Sequence, residues 1–525
     1  MTGEDPALSE QPRAQNTPIR DVPAGDLDRR CRAAVTAGAR VQFAYAWFPE
    51  SVGEAPAQPD ASEELPERRV PELRYVIHAV AGHAPEIWRC RPGELRPPSL
   101  AAIAPLVSWY EREITDLCGL SFENQPQPEP LVLLPGARAA RPPLQSGAAP
   151  PLIYTPEPLS LPGLAGSAHR DVQLLPFGPI RADVVESAQF TFFYIGEAIL
   201  HYQPQLFFKY RGMEKRFEGV TSELGVVLAE RVSAVGSVAH ALAYSHALEA
   251  AAHCEVPRRA EWLRVLLAEL ERLYNHLRYL GHLCHTTTLK VGEAEGKYLE
   301  ELAKQLNAAA TGSRFLRSLV CPGGLRREPS LAEVDRPLRK IEKEFGRYAQ
   351  MLESTTTHLD RLITTGVLGK QLAFDLGATG PIDRASGVDR DPRRDQPYGI
   401  YRELPLRVAV REGCDAHARQ QVRIAEAQNS IELIRGVLEG LPPGPIRAPC
   451  RPAPLSEGLG WAESPRGSVY YAVHVDAAGK LARVKVKSPS FSNWRVFPYT
   501  VHDTNMMDYA INEASFGLTV AGCAR

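Results

Sequence analysis

The sequence predicts an α+β protein in which a small N-terminal α/β domain precedes a larger, mainly helical domain with a bundle of long helices and peripheral β strands. Three observations support this prediction. Strand-like alternation dominates the first part of the chain, helical periodicity dominates the middle, and a segment rich in Pro, Gly and Ala separates the two. With 525 residues, 44% of them hydrophobic, the chain can bury the cores of two domains.

The N-terminal elements follow one another in a simple order. Residues 1–25 are polar and rich in Pro, so we expect a disordered leader there. We assign residues 26–135 to the first domain, because the stretches RVQFAYAWF and ELRYVIHAVAG alternate and predict a hairpin with a long acidic loop. A helix is predicted over residues 99–117. Residues 136–168 lack periodicity and are rich in Pro and Gly, which indicates a linker.

The second domain is assigned to residues 169–525. Apolar residues recur there at spacings of three and four and predict a long helix with one buried face: Trp262, Leu266, Leu270, Leu273, Leu277 and Leu280. Further helices are predicted at residues 223–253, 331–364 and 415–438. Four long helices in one domain favour a bundle whose facing side chains hold a buried site. The stretch SVYYAVHVDAAGKLARVKVKSPS predicts strands near the C-terminus.

Composition excludes several classes of protein. The formal net charge of -2 provides no positive field for nucleic acid, so no nucleic-acid partner is expected. No apolar run reaches the roughly 20 residues that a transmembrane helix needs, and the N-terminus lacks the apolar core of a signal peptide. We therefore expect a cytoplasmic protein that reaches a membrane only through its partners.

The nine cysteines are scattered, and no two of them form a C-x-x-C pair. Isolated thiols suit a reducing compartment and predict neither a disulfide framework nor a zinc or iron–sulfur site. We expect most of these cysteines to be buried space-filling residues.

A short motif lies at the end of the first domain. The stretch SWYEREITDLCGLSFENQP, at residues 108–126, resembles the signature of the C subunit of bacterial respiratory complex I. Polar residues of that signature are present here as Glu111, Arg112, Glu113 and Asp116, whereas Cys118 stands in the usual Phe position. The resemblance implies a C subunit-like fold for residues 26–135.

A longer resemblance covers the second domain. The stretch LGATGPIDRASGVDRDPRRDQPYGIY closely resembles the D subunit of complex I, which is related to the large subunit of nickel–iron hydrogenases. The stretches YRGMEK, GWAESPRG and SPSFSNW fit the same family, so the resemblance extends from about Leu174 to the end of the chain. A C-like domain fused to a D-like domain most resembles the large subunit of energy-converting hydrogenases of the formate-hydrogenlyase kind.

The hydrogenase resemblance implies a nickel–iron site held by thiolates from two C-x-x-C pairs, because soft sulfur ligands suit low-valent nickel. Ser233 and Gly236 occupy the positions of the first pair. Thr519 and Gly522 occupy those of the second pair. The family histidine after the first pair is kept as His240. We therefore expect this chain to bind no metal.

The complex I resemblance implies a quinone cavity at the same place, where a His and a Tyr hold the headgroup and supply protons. Arg181 and Val185 replace the two histidines of the corresponding loop. In the next motif, Ser233 replaces an Asp and Ala234 replaces the Tyr. Because valine and alanine donate no proton, we expect a degenerate cavity and identify no catalytic residue.

Two of these positions have simpler interpretations. Arg181 either binds an anionic ligand or, as is commoner, pairs with an acid such as Asp183 or Glu186. His240 is interpreted as a helix histidine that a neighbouring carbonyl satisfies.

Arg211 and His282 are the retained residues of interest. The resemblance implies that they flank the terminal four-iron cluster of a separate small subunit, where a positive or hydrogen-bonding group raises the cluster's potential. The alternative is a structural role, in which Arg211 pairs with Glu214 or Glu218.

The resemblance therefore implies a peripheral-arm subunit of a membrane-associated, complex-I-like assembly, related to NADH:quinone oxidoreductases and energy-converting hydrogenases, on the cytoplasmic side of the cell membrane. The implied partners are an iron–sulfur small subunit similar to the B subunit of complex I, and membrane ion-translocating proteins of the antiporter-like and H subunit-like kinds. We expect no cofactor on this chain, NAD and quinone at most at the level of the complex, and no autonomous catalysis. The rival interpretation is a non-redox coupling scaffold, and a third is a relict nickel enzyme with other ligands.

Overall fold

The computed structural model describes residues 17–49, 71–78, 85–93, 96–134, 136–139, 142–145, 152–155, 172–180, 186–502 and 504–525. Among these residues the N-terminal unit is a sheet with two helices, which confirms the predicted α+β class. The sheet order is β1-β4-β3-β2, with β1 parallel to β4 and the other pairs antiparallel. The elements are β1 (Ile19–Asp21), α1 (Leu27–Thr36), β2 (Arg40–Trp47), β3 (Glu72–His78), β4 (Glu86–Cys90) and α2 (Ser108–Cys118).

Strands β2 and β3 confirm the predicted hairpin. Strand β2 is largely buried along its length, which accounts for its nearly continuous apolar sequence. The Phe43 ring lies 6.4 Å from Tyr110 of α2 and 5.8 Å from Tyr470 of the second unit, measured between ring centroids. The N-terminal unit therefore shares a hydrophobic core with the rest of the chain.

The predicted leader and linker are only partly described. Residues Ile19–Asp21, assigned from the sequence to the leader, form β1, so this part of the prediction is wrong. Strand β1 has only three residues, which is too short to show a periodic pattern, and its partner β4 lies far along the chain. Within the predicted linker, β5 (Ala137–Ala139) pairs antiparallel with β6 (Leu152–Tyr154). Residues 1–16 and much of the linker lie outside the described residues.

The signature that resembles the C subunit fixes the segments on both sides of α2. The Glu111 carboxylate accepts hydrogen bonds from Ser99 Oγ (2.6 Å), the Leu100 amide (2.8 Å) and Gln125 Nε2 (2.6 Å). Asp116 Oδ2 accepts from the backbone amides of residues 131–133 at 2.8–3.2 Å. These acids therefore satisfy loop donors that water would otherwise have to reach.

The second unit contains the remaining elements that the structure describes. Its strands are β7 (Gln173–Phe177), β8 (Gln189–Ile195), β9 (Ala198–Gln205), β10 (Val320–Cys321), β11 (Gly324–Leu325), β12 (Glu457–Ser464), β13 (Gly467–Val475) and β14 (Leu481–Lys487). Its longer helices are α4 (Ser222–Val232), α5 (Ser237–Ala252), α6 (Arg258–Thr286), α7 (Lys290–Thr311), α8 (Asp335–Ser354) and α13 (Ala416–Gly440). Its shorter helices are α3 (Met213–Arg216), α9 (Thr356–Leu362), α10 (Lys370–Asp375), α11 (Pro381–Ala385), α12 (Pro392–Asp395), α14 (Pro489–Val496), α15 (Tyr509–Phe516) and α16 (Val520–Cys523). No helix within the described residues has the length and apolarity needed to cross a membrane.

Glycines allow the main elements to approach closely. A Cβ atom on Gly296 of α7 would lie 2.4 Å from the Cα atom of Gly281 on α6, so these helices meet backbone to backbone. A Cβ atom on Gly460 of β12 would lie 2.2 Å from the carbonyl oxygen of Ala243, so α5 rests directly on the β12–β14 sheet. Helix α6 and helix α13 confirm two of the predicted long helices.

Two predicted long helices are each broken in the structure. The segment predicted at residues 223–253 divides into α4 and α5, and the segment at residues 331–364 divides into α8 and α9. The backbone is extended at Ser233 and at Thr355. A new helix can begin after Ser233 because the Glu271 carboxylate of α6 accepts hydrogen bonds from the amides of Val238 (2.7 Å) and Ala239 (3.0 Å).

A buried group of charges joins the two units, and we call it the interdomain ion cluster: Glu113, Glu214, Arg483, Lys485 and Arg525. Lys485 Nζ lies 2.6 Å from Glu113 and 3.1 Å from Glu214. Arg525 reaches the same two acids at 2.5 and 3.0 Å, and Arg483 lies 2.7 Å from Glu214. Burial alone would raise the pKa of Glu214, but the three cations hold it below its usual range. Glu113 of α2 is thus fixed to β14 and to Arg525.

Replacing Glu113 with Gln removes one of two acids that compensate three buried cations. Because Lys485 and Arg525 then stay buried with one fewer partner, we expect the free energy of unfolding to fall by about 3 kcal/mol. Urea unfolding followed by tryptophan fluorescence measures the change.

The matched control is Asp28→Asn, which removes an exposed carboxylate of the same unit. Asp28 is half exposed and lies 3.4 Å from the exposed Arg32, so its loss should leave the midpoint unchanged. A wild-type midpoint for Glu113→Gln would contradict the stabilising role of the interdomain ion cluster.

Candidate active site

Arg211 brings together the two segments whose metal-ligand positions have changed. Its Nη2 atom donates to the carbonyl of Val232 (2.5 Å) and to that of Ala521 (2.7 Å), and Nη1 donates to the carbonyl of Arg231 (2.7 Å). The end of α4 and helix α16 therefore lie side by side. The positions of the two family cysteine pairs, residues 233 and 236 and residues 519 and 522, lie next to this contact.

These contacts also decide between the partners predicted for Arg211. Glu214 belongs to the interdomain ion cluster, and Glu218 lies 2.6 Å from Lys215. Neither acid pairs with Arg211, whose guanidinium instead fastens three backbone carbonyls. The alternative in which Arg211 pairs with Glu214 or Glu218 is therefore wrong, because these acids have cations of their own.

The first altered pair lies on the turn between α4 and α5. Ser233 is buried, whereas Ala234 is exposed. Gly236 is the N-cap residue just before α5, and a Cβ atom there would meet only His240 Cδ2, at 3.5 Å. The first pair therefore leaves room for a small side chain at Gly236.

The second altered pair is tightly packed. Thr519 Oγ1 accepts a hydrogen bond from the Gly522 amide (3.2 Å) and lies 3.1 Å from Ser490 Oγ. A Cβ atom on Gly522 would lie 2.5 Å from Thr519 Oγ1 and 3.2 Å from Ser490 Oγ. The carbonyl of Gly522 accepts a hydrogen bond from Ser488 Oγ at 2.5 Å. Hydroxyl groups thus fill the place where the hydrogenase resemblance implies a thiolate.

A nickel–iron centre does not fit these residues. Serine and threonine offer hard hydroxyl oxygens, the glycines offer no ligand, and Gly522 has no space for a longer side chain. Cys523 is buried, and burial raises the pKa of its thiol above the usual range. Within the described part of the chain, no three His, Cys, Asp or Glu side chains are grouped to hold a metal ion.

Glu186, which directly follows Val185, binds the first turn of helix α16. Its carboxylate accepts hydrogen bonds from the amides of Val520 (2.5 Å) and Ala521 (3.1 Å). These amides have no acceptor within such a short helix, so the acid satisfies them. Arg181 and Val185 lie outside the described residues, so their predicted roles stay predictions.

His240 is buried in α5 beside the altered pair. Its Nδ1 atom lies 2.9 Å from the hydroxyl group of Tyr471, and the two rings meet edge to face. Burial, with a smaller effect of Arg211, lowers the pKa of His240 to about 3. The ring is therefore neutral near pH 7 and is satisfied by a tyrosine hydroxyl group, not by the carbonyl that we predicted.

Arg466 and Asn275 also line this region, although the sequence did not single them out. Arg466 Nε donates to the carbonyl of Gly517 (2.6 Å), and Nη1 donates to Asn275 Oδ1 (3.1 Å). Burial lowers the pKa of Arg466 to about 10, so the side chain remains a cation. The GWAESPRG stretch was the available signal, because it resembles a family motif and contains this arginine.

A second charged network lies inside the helical bundle. Arg384 binds Glu426 at 2.7 Å and Glu463 at 3.1 Å, and His276 Nε2 lies 2.8 Å from Glu426. All four side chains are almost fully buried. Burial raises the pKa of Glu463 to about 7. The arginine comes from the stretch that resembles the D subunit, so that motif forms part of the core.

His282 lies near the end of α6 and is exposed. Its ring is parallel to that of His285, with the centroids 6.3 Å apart. Exposure leaves His282 accessible to another molecule. The partly exposed Arg211 is held by three backbone carbonyls, whereas the His282 side chain is exposed.

The cysteines match the expectation from the sequence in most respects. Seven of the nine are buried, and Cys414 and Cys450 are partly buried. Cys254 Sγ donates to the carbonyl of Pro449 at 3.5 Å.

Adding a methyl group at Gly522 tests the packing of α16. We expect Gly522→Ala to lower the free energy of unfolding by about 1–3 kcal/mol, because the new methyl group displaces Thr519 from its capping position. Gly236→Ala, where space is open, is the control and should be close to neutral. In the Thr519→Ala background, Gly522→Ala should cost less free energy of unfolding, because the hydroxyl group that it would clash with is absent. Equal losses in both backgrounds, measured by urea unfolding, would contradict this packing.

Glu463 predicts a pH dependence of stability. Its folded pKa of about 7 exceeds the unfolded value of 4.5, so between these limits the folded chain retains a proton that the unfolded chain has released. The free energy of unfolding should therefore fall as pH rises through this interval, by up to about 1.4 kcal/mol per pH unit from this group. Glu463→Gln lacks this contribution, so its stability relative to wild type should rise with pH. A constant difference between about pH 5 and 7 would contradict the raised pKa.

Comparison with known proteins places the chain in a family. The family described as respiratory-chain NADH dehydrogenase, 49 Kd subunit, matches residues 299–457 and 449–525. The family described as respiratory-chain NADH dehydrogenase, 30 Kd subunit, matches residues 70–148. The two matches occur in the parts that resemble the D and C subunits respectively, and they confirm the predicted order of the fusion.

Individual relatives agree with these matches. The chain is 30% identical to formate hydrogenlyase subunit 5 of Escherichia coli (strain K12), over 78% of this chain and 74% of that protein. It is 31% identical to the D 2 subunit of NADH-quinone oxidoreductase from Koribacter versatilis (strain Ellin345), over 63% of this chain and 90% of that protein. A chain of the membrane-bound sulfane sulfur reductase, an archaeal respiratory membrane complex, is similar with a TM-score of 0.65 and 25% identity, over 68% of this chain and 100% of that chain. The protein belongs to the family of the NADH dehydrogenase 49 kDa subunit and the related formate-hydrogenlyase-type subunits, with a 30 kDa subunit-like region fused on its N-terminal side.

Proposed function

We propose that this chain is a peripheral-arm subunit of a membrane-associated electron-transfer assembly of the complex-I-like or energy-converting hydrogenase-like kind. One observation carries the proposal: the two family units remain locked by the interdomain ion cluster, while the neighbouring metal-ligand positions hold packed hydroxyl groups and glycines. The fold is thus retained without the chemistry that thiolates would supply. Any oxidoreductase activity belongs to the complex, and this chain has no autonomous catalysis.

The first partner in this proposal is an iron–sulfur small subunit similar to the B subunit of complex I. Its terminal cluster would lie beside His282, whose side chain is exposed, and near Arg211. Arg211 contributes a positive charge there even though its hydrogen bonds go to backbone carbonyls. Charge and hydrogen bonding near an iron–sulfur cluster tune its reduction potential.

The other partners are membrane ion-translocating proteins of the antiporter-like and H subunit-like kinds. The β7–β9 sheet supports such docking, because it exposes the large apolar side chains of Leu174, Ile195 and Leu200, and Ile180 follows β7 with 90% exposure. Exposed large apolar side chains are common on interaction surfaces. The chain would then lie on the inner, cytoplasmic face of the cell membrane. NAD and quinone would act at most elsewhere in the complex.

A non-redox coupling scaffold is the second candidate, and the packing around Gly522 favours it. The hydrogen bonds among Thr519, Ser490 and Gly522 close that side of the family's reaction site. In this alternative the assembly moves ions without electrons reaching this chain.

The purified chain tests the absence of its own metal centre. Because residues 233, 236, 519 and 522 offer no thiolate, we expect neither stoichiometric nickel nor stoichiometric iron by plasma mass spectrometry. Hydrogen uptake with an artificial dye should also be absent. About one nickel per chain would contradict the proposal and favour a relict nickel enzyme.

His282 separates the redox function from the scaffold. In the assembled complex, His282→Leu should lower the potential of the neighbouring cluster by tens of millivolts, because a hydrogen-bond donor is lost; roughly 60 mV corresponds to 1.4 kcal/mol for one electron. Electron paramagnetic resonance redox titration measures this shift.

Arg211→Met should lower the same potential, because a positive charge is lost. It should also lower the stability of α16 by about 2 kcal/mol, because backbone carbonyls lose their donor.

The matched control is His253→Asn. His253 is also exposed, but it precedes the opposite end of α6, which is roughly 40 Å long at 1.5 Å per residue. Its left-handed backbone, with φ 47°, tolerates Asn. Unchanged potentials in both the His282 and Arg211 variants, with assembly intact, would make the non-redox scaffold the better account.

A further inference from the structure

A small cavity lies between the N-terminal sheet and the second unit, away from the Arg211 contact. Its volume is about 40 Å³. Arg40 and Gln42 of β2 line one side, and Arg390, Asp383, Ser468 and Lys487 line the other. This volume holds a few waters or one small polyatomic ion, but no nucleotide or quinone.

Three cations meet at this cavity. Arg40 has partners, since Nη2 donates to the carbonyl of Ala378 (3.0 Å) and Nη1 lies 3.4 Å from Asp383 Oδ2. The Arg390 guanidinium stacks over the Phe374 ring at 4.5 Å, and no hydrogen bond or ion pair joins it to another residue in the described ranges. Burial and the neighbouring Arg40 lower the pKa of Arg390 to about 10, so it stays charged near pH 7. The partly exposed Arg390 side chain therefore lines the cavity without a protein acceptor among the described residues.

Lys487 forms part of the cavity floor. Its Nζ atom donates to Ser468 Oγ (2.6 Å) and can donate two more hydrogen bonds. The residue is only 3% exposed, and burial followed by repulsion from Arg40 lowers its pKa to about 7. An anion nearby would offset both effects and favour the ammonium form.

The cavity also contains an acceptor without a donor. Asp383 is 2% exposed, and its Oδ1 atom has no hydrogen-bond partner in the structure. A buried polar atom of this kind costs free energy unless something in the cavity donates to it. The cavity thus offers donors on Arg390 and Lys487 and an acceptor on Asp383. An anion that also carries a hydroxyl group satisfies all three and compensates the excess positive charge.

We propose that this cavity binds a small protonated oxyanion, of the hydrogen phosphate or bicarbonate class. Its charged oxygens accept hydrogen bonds from Arg390 and Lys487, and its hydroxyl group donates to Asp383 Oδ1. Arg40 of the first unit lines the same cavity and adds positive charge there, so the anion would lie between the two units. Its binding therefore stabilises the folded arrangement in proportion to its concentration.

Anion titration of the full chain tests this site. Thermal unfolding is followed in sodium phosphate, bicarbonate and sulfate at equal ionic strength set with chloride. We expect a saturable rise in the unfolding midpoint with phosphate or bicarbonate, and an affinity for sulfate at least about tenfold weaker, because sulfate has no hydroxyl hydrogen near pH 7. The two active anions are then compared with each other to identify the better ligand. Equal responses to sulfate and to both protonated oxyanions would overturn the proposal.

Arg390→Gln removes the unpaired guanidinium and should weaken phosphate or bicarbonate binding at least about tenfold. Arg402→Gln, at an exposed arginine outside the cavity, is the matched control and should bind as wild type does. Unchanged anion binding by a folded Arg390→Gln variant would overturn the proposal. If that variant does not fold, the selectivity series on the unchanged chain decides the question.

Discussion

The interdomain ion cluster is the constraint on which the rest of the structure depends. Three cations and two acids are removed from water together, so each position requires the others. Glu113 brings in the first unit, and Glu214 lies just after Arg211. Arg525 fixes the chain directly beyond α16. The position of α16, and with it the second altered pair, therefore follows from where these charges meet.

Once α16 is placed, polar contacts close the site around it. Arg211 fastens it to the end of α4, and Glu186 satisfies the amides of its first turn. Thr519 and Gly522 then pack so closely that no larger side chain fits. These contacts use hydrogen bonds where the hydrogenase relatives implied by the sequence would use metal–sulfur bonds. The positions where the resemblance implies thiolates are thus held by hydrogen bonds and close packing among the protein's own residues.

The charges between the two units are arranged in two different ways. In the interdomain ion cluster, every cation lies within hydrogen-bond distance of an acid. At the cavity beside β2, Arg390 lacks such a partner among the described residues and Asp383 Oδ1 lacks a donor. In the first arrangement the cations and acids compensate one another within the protein. In the second arrangement a cation and an acid oxygen lack such partners among the described residues, which is why the proposed anion is assigned to the cavity.

The sequence by itself determined the order of the two units, the β2–β3 hairpin, helices α6 and α13, and the absence of thiolates at residues 233, 236, 519 and 522. These features depend on local periodicity or on residue identity, which a single sequence displays. It did not reveal strand β1 or the break between α4 and α5, because β1 depends on β4 and the start of α5 on Glu271 of another helix. Nor did it reveal that Arg211 binds carbonyls instead of Glu214. Only the tertiary structure decided these points, since a buried polar group takes the partner that the fold brings near, whatever its distance along the chain.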